Sequence, residues 1–354
     1  MMHPRTFAWA LLAGAFALLG ATMAANFALD PQYVFGTPLT SDDENANYRY
    51  HRLRQYQAQR DRVDGLLFAS SRGKAFDAGL VAQKLGATVV AKFDVTAGTI
   101  ADHLPALEYV LRDKAERGEK LRAVLLLIDV DSLGKPPSTN VNIDSFLPPE
   151  LSGEHPARFW WRYLTVFQLR MWRGIIAHRM RGGERAAIEP KSLQFNMRRL
   201  TMAGFGPPAS DIPVPRILHA ANDVPWARLL VATRPHLTAH LGMVARFDAL
   251  CRANGIQLTV ATTPMRADAA SLYDPADLRD VVERLSQIVP VWDFAAPQWL
   301  AADIAYWDDR SHFKPIVGEM ILQRMFGSST PPDFGILRGA KVQPAAALRA
   351  RPQT

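Results

Sequence analysis

Five short apolar runs, separated by stretches of helical periodicity, leave this chain few ways to fold. They are DGLLFASS (64–71), ATVVAKFDV (87–95), RAVLLLIDV (122–130), IQLTVATTP (256–264) and PVWDFA (290–295). The first three are apolar almost without interruption, which is how a parallel strand covered on both faces reads. Helical patterns fill the intervals at 74–85, 99–117, 227–254 and 276–288, the third ending at Asn254-Gly255, a C-terminal stop signal. Alternation of this kind predicts an α/β fold, a three-layer αβα sandwich around a parallel sheet. Its chemistry is expected beyond the carboxyl ends of the strands, where open α/β sheets bind their ligands.

About 125 residues separate the third run from the fourth, far more than a crossover requires. An insertion over about 133–226 is therefore expected. It carries two Pro-rich stretches, KPPSTNVNIDSFLPPE and GFGPPASDIPVPR, on either side of one aromatic and basic helix, RFWWRYLTVFQLRMWRGIIAHRM. A cap over the sheet edge and a docking surface both fit that composition. Residues 26–63 read as a polar connector that turns helical near its end, and 64–330 as the α/β domain with its insertion. Residues 331–354, rich in Pro, Ala and Arg without apolar periodicity, read as a disordered tail.

The chain starts with a candidate membrane segment, 1–25. Within it Phe7–Ala25, FAWALLAGAFALLGATMAA, holds 19 residues without a charge. A helix of that length rises about 28 Å, close to the hydrocarbon thickness of a bilayer. Arg5 and the free amine keep the start cytoplasmic, so the main domain is expected in the periplasm, held to the inner membrane by a single pass. A cleaved signal peptide is the other reading, because ATMAA offers small residues for processing; the body is then secreted. Hydrophobic residues at 48% and charged residues at 21% exclude a wholly disordered chain, and one span excludes a polytopic membrane protein. The net charge of +7 is spread too thinly over 354 residues to indicate nucleic acid, and no such partner is expected. Cys251, the single cysteine, excludes an internal disulfide and a cysteine-based metal cluster.

Two short blocks carry the chemistry. The first run ends in Phe68-Ala69-Ser70-Ser71-Arg72-Gly73, and a helix follows. A serine at such a turn holds its hydroxyl at the sheet edge and its own N–H near a helix N-terminus, which suits a nucleophile whose oxyanion needs stabilising. A serine N-cap is the bland alternative. The second block is Tyr306-Trp307-Asp308-Asp309-Arg310-Ser311-His312-Phe313-Lys314-Pro315, just before a helix that runs to about Met325. With Asp309 three residues ahead of His312, the carboxylate can reach the imidazole Nδ1–H while Nε2 faces outward, as a serine's general base requires. Alone, the block would read as a surface turn.

Together, the Ala-Ser-Ser turn after the first strand and the Asp-x-x-His block resemble the SGNH (GDSL-like) hydrolase superfamily. The likeness is to its cell-envelope branch, which has a Gly-Ser-Ser-Arg style first block and an N-terminal membrane anchor. The alginate acetylation proteins and the D-alanine transfer protein of teichoic acids belong there. The resemblance implies a flavodoxin-like sandwich and a triad of Ser71, His312 and Asp309, with Ser71 rather than Ser70 as nucleophile. It also implies an oxyanion held by the N–H groups of Ser71 and Gly98. The implied activity is acyl transfer, most often of acetyl, to or from an envelope or exported polysaccharide, with a membrane-bound O-acyltransferase as partner. Two positions depart from the family. Ala69 stands where it has glycine, and Ile128-Asp129-Val130-Asp131 stands where it has Gly-x-Asn-Asp. An ionised carboxylate cannot donate the asparagine's hydrogen bond, and one lost oxyanion donor costs about 10²–10³ in rate. A non-catalytic scaffold or glycan-binding component of a polysaccharide biosynthesis or export complex is the alternative.

Other signals are weaker. His236 and His240 are four apart in HLTAH, without the glutamate of a zincin, so packed or surface histidines are expected and no metal or cofactor is. In the aromatic helix, Phe159, Trp160, Trp161, Tyr163 and Phe167 fall within nine positions, too many for one narrow buried stripe. Some of them, with Arg162 and Arg173 beside them, are expected to meet a cleft, the bilayer or another chain. Trp160, Trp161, Arg162 and Arg173 are the candidate binding residues.

Overall fold

The computed structural model describes residues 3–35, 47–136, 146–180, 229–296, 298–327 and 334–339. They divide into two units, one made of 1–58 with 139–196 and the other of 59–138 with 197–354. Helices in chain order are α1 (Pro4–Leu29), α2 (Tyr48–Gln59), α3 (Ala78–Leu85), α4 (Ile100–Glu116), α5 (Pro149–Ser152), α6 (Pro156–Thr165) and α7 (Leu169–Met180). They continue as α8 (Leu237–Ala253), α9 (Ala267–Ala270), α10 (Pro275–Ile288) and α11 (Pro315–Phe326). The strands are β1 (Gly65–Ala69), β2 (Val90–Asp94), β3 (Ala123–Ile128), β4 (Gln257–Thr262), β5 (Val291–Asp293) and β6 (Ile336–Arg338).

The second unit is built on the sheet. Its strand order is β2-β1-β3-β4-β5-β6, parallel throughout except for β6, which runs antiparallel to β5. The order of the first five strands is that of flavodoxin-like folds, and it reverses direction between β1 and β3. Every residue of β1 and β3 is buried, which is why those runs read as continuously apolar. Alternate residues serve opposite faces. Leu67, Ala69, Leu125 and Leu127 pack with Val81 and Leu85 of α3 and with Val317, Ile321 and Leu322 of α11. On the other face Phe68 meets Phe93, His103 of α4 and Phe247 of α8, with centroids 5.2–5.6 Å apart. The result is the three-layer sandwich expected from the alternation.

The expected tail is partly fold. Phe334 is buried against Phe294, and Ile336–Arg338 closes the sheet edge, where the Arg338 Nε–H donates to Asp293 at 2.7 Å. Three residues are too few to show a period, so nothing in the sequence marked β6. Residues 340–354 lie outside the described residues, as do the second Pro-rich stretch and most of the first. The helical pattern at 227–254 begins only at Leu237.

In the first unit the connector reading fails at its start. Residues 26–29 are the last turn of α1, and Asn26 is fully buried: its amide donates to the carbonyls of Leu164 and Val166, at 2.8 Å each, and accepts from Trp172 Nε1–H at 2.8 Å. Asp30, in the left-handed region at φ 43°, accepts from the N–H groups of Val34 and Phe35 and from the Tyr163 hydroxyl. The single aromatic helix is in fact two. Asn26 occupies carbonyls that a continuing helix would use internally, so α6 ends at Thr165 and α7 begins at Leu169.

Candidate active site

Ser71 opens a 3₁₀ turn, Ser71–Ala75, directly after β1. Ser70 caps that turn: its hydroxyl accepts from Arg72 N–H at 3.2 Å and its carbonyl from Gly73 N–H at 2.9 Å. The two serines thus divide the work, Ser70 buried and structural, Ser71 half-buried at the carboxyl edge. Gly73 makes the turn possible, because a Cβ there would lie 2.6 Å from that of Asp94 and 2.7 Å from that of Ala69.

Asp309 and His312 sit on a short loop between two core anchors. Trp307 and Phe313 are buried, form an isolated antiparallel bridge, and meet edge to face at 6.1 Å. Between them the chain has no choice but to bulge toward the sheet edge. The Asp309 carboxylate folds back on that bulge, Oδ1 accepting from the N–H groups of Ser311 at 2.6 Å and His312 at 2.8 Å. Its other oxygen, Oδ2, accepts from His312 Nδ1 at 2.7 Å. A carboxylate on Nδ1 fixes the tautomer with the proton there, leaving Nε2 a lone pair. Ser71 Oγ lies 2.8 Å from Nε2 and donates to it. Partial burial alone would raise the Asp309 pKa, but the hydrogen bonds from His312 and from the two N–H groups outweigh it and hold the carboxyl below its usual value. It stays anionic at neutral pH, placed to stabilise the positive charge that develops when His312 takes up a proton.

The expected oxyanion donors fare differently. The Ser71 N–H makes no hydrogen bond among the described residues. The Gly98 N–H donates to the Val95 carbonyl at 3.0 Å, closing the turn after β2, so it is already committed. Asp129 accepts from Thr263 Oγ1–H at 2.5 Å and pairs with Arg72 Nη1 at 3.0 Å. It is anchored rather than aimed at an oxyanion.

Arg72 is the residue that sequence reasoning passed over. Its buried guanidinium donates from Nε to the Ser311 carbonyl at 2.8 Å and from Nη1 to Thr263 Oγ1 at 2.7 Å, and it pairs with Asp129. Burial would lower its pKa, but Asp129 and Asp131 more than offset this and keep it charged. One side chain therefore ties the ends of β1, β3 and β4 to the residue before His312. Arg72, Asp129 and Thr263 are polar residues at the ends of three apolar runs, a signal that becomes specific only once the topology gathers those ends at one edge.

Trp160, Trp161, Arg162 and Arg173 belong to the first unit. Trp160 stacks on Phe35 at 5.1 Å, and Arg162 is engaged by Glu154 at 3.2 Å and lies over Phe146. These two are half-buried, whereas Trp161 and Arg173 are exposed. His240 is buried with Nδ1–H on the Leu133 carbonyl, and burial lowers its pKa. Among the described residues no three His, Cys, Asp or Glu side chains are grouped to hold a metal ion. Cys251 is buried, which pushes its thiol up to about 12 and leaves it inert. Neither a protein-family model nor a curated protein matches this chain.

Proposed function

We propose that the chain is an exported serine acyl-transfer enzyme of the SGNH type, an O-acetyltransferase or acetylesterase working on an envelope or exported polysaccharide. The observation that carries this reading is the hydrogen-bonded series Ser71 Oγ, His312 Nε2, His312 Nδ1, Asp309 Oδ2 at the carboxyl edge of the sheet. Ser71 Oγ bonds to the acyl carbonyl carbon as its proton passes to His312. The oxyanion forms beside the Ser71 N–H. Collapse expels the alcohol, which takes the proton back from His312 and leaves an acyl-serine. Water or a sugar hydroxyl, deprotonated by the same imidazole, then attacks the acyl-serine and frees Ser71. Helix α1 is long and apolar enough to cross a membrane. As a retained inner-membrane anchor it would keep the periplasmic domain beside a membrane-bound O-acyltransferase that supplies the acyl group.

A specific observation favours a second reading. With Gly98 committed and Asp129 unable to donate, Ser71 N–H is the one oxyanion donor left of those expected. A scaffold or glycan-binding component would tolerate that loss. One experiment separates the two: a fluorophosphonate probe should label wild type and not Ser71→Ala, and Ser71→Ala should lower turnover of an acetyl ester by about 10⁴–10⁶-fold. No labelling of correctly folded wild type, together with glycan binding, would establish the scaffold instead.

A further inference from the structure

We propose that α6 and α7 lie in the headgroup zone of the bilayer that α1 spans, as an aromatic and basic collar around its exit point. The proposal rests on reading α1 as a retained membrane helix. From Phe7 to Leu18 the large apolar side chains of α1 are exposed, and burial begins only at Thr22 and Asn26. The polar exit is thus set at Asn26, directly after the apolar run. That residue is the one clamped to the end of α6 and to Trp172 of α7. Both helices are fixed at the depth where hydrocarbon gives way to headgroups.

Their outward surface suits that depth. Trp161 is 57% exposed and Phe167 60%, and Phe27 on α1 is as bare at 65%, where it meets Phe35, the ring on which Trp160 stacks. On α7 the exposed Leu169, Ile176 and Met180 fall within an arc of about 40° at 100° per residue. Arg173 stands at the edge of that arc. Residues 156–180 hold five arginines and no carboxylate. An apolar stripe flanked by cations, continuous with a membrane helix, matches an interface of acyl chains under anionic phosphates.

Spin labels on the full chain in nanodiscs of phosphatidylethanolamine and phosphatidylglycerol test this. In a Cys251→Ser background, nitroxides replace Leu12, Trp161, Phe167 and the exposed Arg284 of α10, one at a time. Labels at 161 and 167 should show several-fold lower accessibility to a water-soluble nickel chelate than the label at 284, and lower oxygen accessibility than the label at 12. If 161 and 167 match 284 while 12 remains in lipid, the collar is refuted and the anchor stands. If 12 is also aqueous, the anchor reading fails and takes the collar with it. Immobilised labels at 161 and 167 that loosen at one chain per disc would overturn the proposal by giving this face to a second copy.

Discussion

The Arg72 guanidinium is held by a serine carbonyl, a threonine hydroxyl and a carboxylate, with only 9% of its side chain exposed. Breaking such a pair from one side leaves an unpaired buried charge. Arg72→Met should therefore lower the unfolding free energy by about 3–5 kcal/mol, measured by urea titration. Removing both charges is a different matter: Arg72→Met with Asp129→Leu should recover most of that loss, since well-packed apolar pairs replace buried ion pairs at little cost. Turnover should not recover, because the Ser311 carbonyl, one residue from His312, stays without its donor. Recovery of turnover along with stability would show that Arg72 does not position the histidine loop. At this scale the sequence was partly legible. Asp309 and His312 lie three apart, and Ser71 ends a strand, so local spacing was enough to find them. Arg72, Asp129 and Thr263 meet only because three strands end side by side, which no window of sequence contains.

Among the elements, α11 and the Ser71 turn are joined with unusual closeness. A Cβ on Gly318 would fall inside the van der Waals shell of the Ala75 carbonyl oxygen, so helix backbone rests directly on turn backbone. Since α11 starts three residues after His312, this contact bears on the distance between His312 and Ser71. Gly318→Val should push helix and turn apart and cut kcat by about 10²-fold, as a 1 Å misplacement does, with fluorophosphonate labelling slowed in parallel. An unchanged labelling rate would mean that the separation is set elsewhere. The strands themselves were readable because burial on both faces makes their apolar runs continuous. The break between α6 and α7 was not, because the residue that imposes it, Asn26, lies 140 positions from Val166.

For the whole molecule, acidity acts through histidines whose pKa burial lowers, His51 in α2 and His240 in α8. Burial lowers the pKa of His51 from 6.5 to about 4, so the folded chain keeps this histidine neutral while the unfolded chain protonates it. Its contribution is complete above pH 6.5 and is lost as pH falls from 6.5 toward 4, by up to roughly 3 kcal/mol over that window. Thermal scans across those pH values should show the first unit weakening, and His51→Gln should flatten the slope. An equal slope in the variant would move the cause to another group. Connectivity has its own consequence for a chain that is synthesised amino end first. The partners of Asn26 are Leu164, Val166 and Trp172, and Asp30 accepts from Tyr163, so β1, β2 and β3 have all been made before the end of α1 can dock. A chain that stops short of residue 163 leaves Asn26 without Leu164, Val166 and Trp172, and the end of α1 undocked. Such a product holds three finished strands and an unfinished first unit, the half-folded state that quality-control proteases are placed to clear.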